Sequence, residues 1–521
     1  MNPILLTDFY KTQHHRMYPK GTSMIYSNLT PRKSRMKGVN SIVFFGLQHF
    51  LHKYLQGKFQ KEFFDKSWEE VEAEYKFAIN TSTEHIKALH DLGYLPLHIK
   101  ALPEGTHCPI RVPCMTIRNT KPEFYWLTNY LETLLSCQLW QPITSATIAA
   151  EYWKILSKYA KQTTGNDEGV QWQAHDFSMR GMSSVESAIL SGMGHLTSFT
   201  GTDTIPAIYA LAKSYNPSGL IGASVPATEH SVMCMGSKED EIGTFKNLID
   251  LYPTGILSVV SDTWDLWKVL TEYLPALKEQ ILARDGKLVI RPDSGDPVDI
   301  ICGLRRKGEY GNYEWDMFEG KKMRVEERHD EHIFTKEVSD TEIKGVVEIL
   351  WDIFGGTVVK GADGNDYKVL DPHIGAIYGD SITLQRAEQI CERLKAKGFA
   401  STNIVLGVGS FTYQYNTRDT FGFAVKATYG EVKKRQFGDS GYFLAETEAR
   451  EIWKDPITDD GTKKSLKGLI RVVPNVHGEL IAQDQQTWEG ESTGDLLTVY
   501  LDGKIIKEYT LEDIRKRIKD S

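Results

Sequence analysis

The sequence predicts an α/β fold in which parallel strands alternate with helical crossovers. Three observations predict it: short apolar runs recur through the middle of the chain, each ends in small or acidic residues, and a helix-period segment follows each turn. Ile256 to Val260 runs into Ser261 and Asp262, then the helix-like DLWKVLTEYL. Lys287 to Ile290 runs into Arg291-Pro292-Asp293-Ser294-Gly295-Asp296, with a helix candidate from Pro297. Ile374 to Tyr378 runs into Gly379 and Asp380, then TLQRAEQICERLKAKG. Ile404 to Leu406 runs into Gly407-Val408-Gly409-Ser410. Each turn sets polar or glycine residues at the carboxyl end of a strand, the edge where barrels and open α/β sheets bind ligands.

The flanks read differently. Residues 94–118 predict short strands, 122–141 and 144–162 predict two helices, and 495–521 predict a strand pair with an Asp-Gly turn and a short basic helix. Between about 303 and 345 the rhythm gives way to a highly charged stretch, expected to be a solvated surface insertion.

Composition narrows the class. With 521 residues, 41% of them hydrophobic, the chain is long enough for about two large domains. A formal charge of −8 gives no chain-wide basic footprint, so no nucleic-acid partner is expected. Six cysteines without a C-x-x-C pair point to free thiols in a reducing compartment rather than a disulfide framework or a metal site. The start carries no cationic leader, and no run approaches 18 apolar residues. A cytoplasmic protein with no membrane association is the expectation.

Several clusters carry chemistry. In Arg291 to Gly295 a cation, an acid, a hydroxyl and a glycine lie within five residues. Asp293 suits vicinal ribose hydroxyls, because a carboxylate only accepts and sugar hydroxyls donate, and Arg291 suits a phosphate oxygen or a flat ring edge. The competing reading is a polar turn with Asp293 or Ser294 capping the next helix. Gly379-Asp380 repeats the pattern, and Gly407 to Ser410 resembles a phosphate cradle or a plain tight turn. His175-Asp176-Phe177-Ser178-Met179-Arg180-Gly181 gathers a base, an acid, an aromatic and a cation, or else a satisfied structural network. Asp203 in Gly201-Thr202-Asp203-Thr204 reads as an acidic turn or a helix cap. His230, beside Glu229, sits near a helix start, where a histidine is usually structural. No G-x-S-x-G elbow and no P-loop are present. The residues alone describe a sugar-phosphate-binding α/β enzyme without naming its reaction.

Taken together and in order, the motifs resemble the nicotinamide phosphoribosyltransferase family, the type II phosphoribosyltransferases. The match runs from Asn2 to Lys11 through Tyr125 to Asn129, HDF…RG, GTDT, SVPATEHS, SVVSD, IRPDSGDP and GD to Thr417-Arg418-Asp419 and Lys454-Asp455-Pro456. The resemblance implies an irregular (β/α) barrel-like domain, 146–418, and a second α+β domain built from both chain ends, 1–145 with 419–521. It implies a homodimer with active sites at the subunit interface. It also implies condensation of nicotinamide with phosphoribosyl pyrophosphate, in NAD salvage, to give nicotinamide mononucleotide and pyrophosphate.

Carried over by motif, Phe177 stacks on the pyridine ring, and Tyr10 of the second subunit covers the other face. Asp203 accepts from the carboxamide and rejects nicotinate. Arg180 and Arg291 contact phosphate or the base edge. Asp293, Gly379 and Asp380 hold ribose and the 5′-phosphate region, with Ser258 and Ser410 also in the substrate set. Arg418, Arg32, Lys426 and Lys454 neutralise phosphates. Asp262 lies near the base or the Mg²⁺-bound pyrophosphate, and His230 takes a phosphoryl group from ATP, the activating co-substrate, with Glu229 favouring its protonated form. Mg²⁺ arrives mainly on pyrophosphate, not in a protein metal site.

Three departures stand out. Ser410 replaces an expected glycine, and 303–345 and 429–450 are longer than expected of vertebrate members. The alternatives are nicotinate phosphoribosyltransferase, a non-catalytic binding or signalling protein, and a barrel glycosidase, which would need two catalytic carboxylates.

Overall fold

The strand Thr22–Thr30 is buried along its whole length, as expected of a strand with neighbours on both sides. In the computed structural model it lies inside a seven-stranded antiparallel sheet. The order is Phe443–Glu451, Ala424–Phe437, Thr22–Thr30, Met115–Asn119, Leu97–Ala101, Leu497–Leu501, Lys504–Ile505. The structure describes residues 1–306, 314–328, 331–379, 381–437, 443–454, 457–458 and 465–520. Both chain ends feed this sheet, and its core runs from Ile4 to Ile143 and from Phe421 to Tyr500. Of the long 429–450 stretch, residues 429–437 and 443–450 lie in the paired outer strands Ala424–Phe437 and Phe443–Glu451. The expected Asp-Gly turn is present at Asp502 (φ 45°) and Gly503 (φ 84°), where left-handed backbone reverses the last strand pair.

One helix, Glu132–Thr164, replaces the expected pair. Pro142 sits inside it instead of ending it. The proline is held by packing: a Cβ on Gly46 would come within 2.7 Å of its ring, and a Cβ on Gly194 within 2.9 Å of its carbonyl. Tertiary contact outweighs the local breaking tendency.

A second core, from Ile148 to Tyr413, encloses six short parallel strands. Their order is Gly201–Thr202, Ala174–Asp176, Ile404–Val408, Ile374–Tyr378, Leu288–Arg291, Leu257–Val260. Nearly all their residues are buried, the pattern of a parallel sheet covered on both faces. The two edges are then joined. Ala223 bridges Gly201 at one edge and Ala227 bridges Ser258 at the other, both in parallel sense. Thr202 N–H donates to the Ala223 carbonyl at 3.0 Å, and Ser258 N–H to the Pro226 carbonyl at 2.9 Å. The irregular segment 223–228 thus closes the curled sheet into a barrel-like ring.

The described residues of the charged stretch form more than a solvated insertion. Trp315–Phe318, Lys321–Arg328 and Glu331–Glu337 form a small antiparallel sheet over a core of Leu304, Trp315 and Val338. Ion pairs anchor it. Arg393 donates to Glu314 at 2.7 Å, and Arg324 to Asp299 at 2.6 Å, with both carboxylates largely buried. No helix among the described residues is long and apolar enough to cross a membrane.

A buried carboxylate joins the terminal sheet to the barrel. Glu104 accepts from Gly46 N–H at 2.9 Å, Gln48 N–H at 2.5 Å and the Tyr215 hydroxyl at 2.8 Å. Tyr215 ends the barrel helix Ile205–Tyr215, and the C-terminal helix Leu511–Lys519 packs on the same core through Leu511 and Ile514. Burial pushes the Glu104 carboxyl above its usual range, partly offset by these three donors. Glu104→Ala strands all three donors at once. It should lower the unfolding free energy by about 3–5 kcal/mol, read from denaturant midpoints at unchanged slope.

Candidate active site

The carboxyl ends of the barrel strands carry the turns that the sequence singles out. After Leu288–Arg291, the helix Pro297–Cys302 is capped by Asp296, whose side chain accepts from Val298 and Asp299 N–H. Asp293 and Ser294 are therefore not caps. They are held from the neighbouring strand end: Asp262 Oδ2 accepts Asp293 N–H at 2.8 Å and Ser294 Oγ–H at 2.6 Å. Gly295, at φ 90°, reverses the chain behind them and its carbonyl accepts from the Tyr378 hydroxyl at 2.8 Å. The Asp293 carboxylate stays free of its own helix. It lies 4.0 Å from Arg291 and 3.8 Å from His230 Nε2. Gly379 permits this packing, since a Cβ there would sit 2.9 Å from Asp293 Oδ1 and 3.0 Å from Arg291 Nε. Asp262 Oδ1 and Arg291 Nε are buried without a partner among the described residues.

Asp203 is not a cap either. The helix Ile205–Tyr215 starts at Thr204 without a side-chain cap bond. Instead Asp203 Oδ1 accepts from His175 Nε2 at 3.0 Å and from the Ser224 hydroxyl, which reaches it from the closing segment. Burial opposes the Asp203 charge. The bonds from His175 and Ser224 and the charges of His175 and Arg291 outweigh burial and hold its carboxyl below the usual range. The His175 ring lies against Phe177 at 4.5 Å between centroids, and the Arg291 guanidinium stands 5.3 Å from the Phe177 ring centre. An aromatic face, a carboxylate acceptor and a cation therefore meet at one end of the barrel.

His230 opens the short helix His230–Met235. Its Nδ1 lies 3.2 Å from Thr263 Oγ1, on the turn that also carries Asp262. The carboxylate facing the imidazole is Asp293, not Glu229, because Ser231 Oγ–H donates to Glu229.

The G-x-G element divides in two. Gly407 is inside the strand Ile404–Val408, where a Cβ would come within 2.7 Å of Phe177 and 2.8 Å of the Tyr378 carbonyl. It is a packing glycine beneath the aromatic platform, not part of a phosphate cradle. Gly409 has open space where a Cβ would go, and Ser410 begins the helix Ser410–Gln414. Arg180 is exposed on the turn after Phe177, and Ser258 is buried in its strand. Asp380 lies outside the described residues, as do Asp455 and Pro456.

The remaining residues lie on other elements. Arg32, Lys426 and Lys454 line one cavity of about 220 Å³. Burial lowers the Lys426 pKa. Glu132 opposes this, but the charges of Arg32, Lys454 and Lys11 add to it. Tyr10 is 61% exposed, on a turn pinned by the buried Lys11 and its 2.6 Å bond to Glu132. Arg418 is exposed and lies 3.5 Å from Asp419. Sequence reasoning missed three site contacts, Ser224, Thr263 and the His175–Asp203 bond, because all three cross between strand ends distant in the chain.

Known proteins resemble this chain along nearly its whole length. A model described as the nicotinate phosphoribosyltransferase (NAPRTase) family matches residues 172–487, and one described as the nicotinamide phosphoribosyltransferase N-terminal domain matches 2–99. A nicotinamide phosphoribosyltransferase of Acinetobacter baylyi is 48% identical, covering 99% of this chain and 97% of the relative. One of Mycoplasma pneumoniae is 35% identical, covering 89% and 94%. Among solved structures, nicotinate-nucleotide pyrophosphorylase from Pyrococcus furiosus has a TM-score of 0.54 at 13% identity, covering 100% of this chain and 95% of that one. Human nicotinic acid phosphoribosyltransferase has a TM-score of 0.54 at 13% identity, covering 99% and 93%. At that identity both show a shared fold.

The depressed Asp203 carboxyl sets a pH dependence. Its stabilising contribution is present above the unfolded carboxylate value and lost as pH falls through the lower folded value. Asp203→Asn should therefore reduce stability at about pH 5, with the gap closing below about pH 4. Thermal unfolding of both proteins across that range reads the difference.

Proposed function

We propose, because this chain belongs to the nicotinamide phosphoribosyltransferase family, that it condenses nicotinamide with phosphoribosyl pyrophosphate to release nicotinamide mononucleotide and pyrophosphate, a step of NAD salvage. The observation that carries the choice of substrate is Asp203. His175 and Ser224 occupy Oδ1, which leaves Oδ2 to accept from a carboxamide NH2. Nicotinate brings a second carboxylate to that oxygen and no donor, so it is repelled and leaves an acceptor unpaired.

In this reading the pyridine ring lies on Phe177. Arg291, with its unpartnered Nε, faces the base edge or a phosphate oxygen, and Arg180 faces phosphate. Asp293 accepts from the ribose hydroxyls beside Gly379. Cleavage of the C1–pyrophosphate bond develops positive charge on the ribose, and the ring nitrogen, held in line by Phe177 and Asp203, forms the new bond. No protein nucleophile is required. Pyrophosphate brings Mg²⁺, which would stabilise the leaving group's charge. The unpartnered Asp262 Oδ1 suits that hard cation. Arg32, Lys426 and Lys454 form a phosphate-binding basin on the terminal domain, and with Tyr10 and Arg418 they complete the site of a second subunit in a homodimer. ATP acts through His230. With Nδ1–H donating to Thr263, the Nε2 lone pair attacks the γ-phosphorus, the bond to ADP breaks, and later hydrolysis returns the imidazole.

The test is a product assay with nicotinamide, phosphoribosyl pyrophosphate and Mg²⁺. Nicotinamide mononucleotide should form, and Asp203→Asn should raise the nicotinamide KM by about tenfold or more while relaxing the rejection of nicotinate. Product from nicotinate alone would overturn the reading. With γ-labelled ATP, the protein should trap acid-labile phosphate that is absent from His230→Ala; equal labelling of both would remove His230 from this role.

A further inference from the structure

Asp176 is fully buried, yet every group it holds belongs to one of two ligand turns. Its Oδ1 accepts the Ser178 N–H at 3.0 Å, just beyond Phe177. Its Oδ2 accepts the hydroxyls of Thr204 at 2.7 Å and Thr202 at 3.3 Å, the residues on either side of Asp203. Its carbonyl accepts the Asp203 N–H at 2.9 Å. Thr204 N–H in turn donates to Thr202 Oγ1 at 2.9 Å, which fixes the two threonines relative to each other.

A buried carboxylate is an expensive way to hold a fold. The nearby His195 brings no counter-charge near neutrality, since burial drives its pKa down to about 4. An asparagine would cost less to bury, but it has one acceptor atom and an NH2 that would face donors. Only a carboxylate accepts from a backbone N–H on one side and two hydroxyls on the other. The helix Val185–His195 closes over it, with a Cβ on Gly192 coming within 3.3 Å of Asp176 Oδ2. These contacts lie behind the two turns.

We propose that Asp176 is a positioning residue that couples the ring platform at Phe177 to the amide acceptor at Asp203, fixing the spacing that admits nicotinamide. The inference rests on the function proposed above. Asp176 touches no substrate; it acts through Thr202, Thr204 and Ser178.

The test compares Thr204→Val, Thr204→Ser and Asp176→Asn in the full chain, with separate KM values for the two substrates. Thr204→Val removes one hydroxyl donor at nearly constant shape. It should raise the nicotinamide KM by about tenfold, leave the phosphoribosyl pyrophosphate KM within about twofold, and narrow the preference over nicotinate. Thr204→Ser restores the hydroxyl and should return the nicotinamide KM to within about threefold of the starting value. Asp176→Asn should follow Thr204→Val; if it does not fold, the two threonine variants decide. A folded Thr204→Val with an unmoved nicotinamide KM, or with both KM values raised alike, overturns the inference alone. A parent protein that makes no nicotinamide mononucleotide overturns the proposed function and this inference with it.

Discussion

The ring of parallel strands closes through the backbone of 223–228, and the rest of the site depends on that closure. A six-stranded parallel sheet has two open edges, each a row of unpaired N–H and C=O groups. Here Ala223 satisfies one edge and Ala227 the other, so one irregular segment spans the gap. A regular strand alternates its side chains and could not turn between edges in five residues. The irregular path also delivers chemistry. Ser224 leaves one edge and reaches Asp203, and His230, just beyond the other edge, reaches the turn carrying Thr263.

Four carboxylates divide the work at this end of the barrel. Asp176 and Asp262 are turned inward and hold neighbouring turns by accepting from backbone and hydroxyl donors. Asp203 and Asp293 are turned toward the site. Each outward carboxylate is held by an inward one: Asp262 accepts the Asp293 N–H, and Asp176 holds Thr202 and Thr204 on either side of Asp203. The cations divide between the two domains. Arg291 belongs to the barrel, while Arg32, Lys426 and Lys454 line a cavity of the terminal domain. The proposed reaction, with its developing ribose cation and leaving pyrophosphate, calls for both sets together, which is why the site is proposed to be completed by a second subunit.

Much of this was legible in the sequence, and the limits have a common cause. Strand ends were readable because apolar runs followed by small or acidic residues are a local pattern. The resemblance supplied the roles that the pattern could not. What the sequence left open was whether a carboxylate serves its own helix or a distant partner. Asp293, Ser294 and Asp203 each stood where a cap could stand, and only the structure shows Asp296 taking one cap and Asp203 turned to His175. Gly407 failed in the opposite direction: it looked like a phosphate-loop glycine, but the Phe177 ring requires its missing side chain. The expected gap between the helices 122–141 and 144–162 failed for the same reason, since the contacts that hold Pro142 within one helix come from Gly46 and Gly194.

The serine at 410 shows how such non-local accommodation preserves a site. A side chain added to a phosphate loop would be expected to crowd an anion or to bond it. Here the Ser410 side chain lies against Gly181, where any Cβ would overlap it. The space it needs is supplied by a glycine on the turn after Phe177, more than two hundred residues away in the chain. Gly409 keeps its own surroundings clear, so the backbone before the serine stays approachable. Because Gly181 also follows Arg180 directly, the same contact packs the arginine's turn against the start of the Ser410 helix. The serine is then a brace between the turn after Phe177 and the start of the helix Ser410–Gln414.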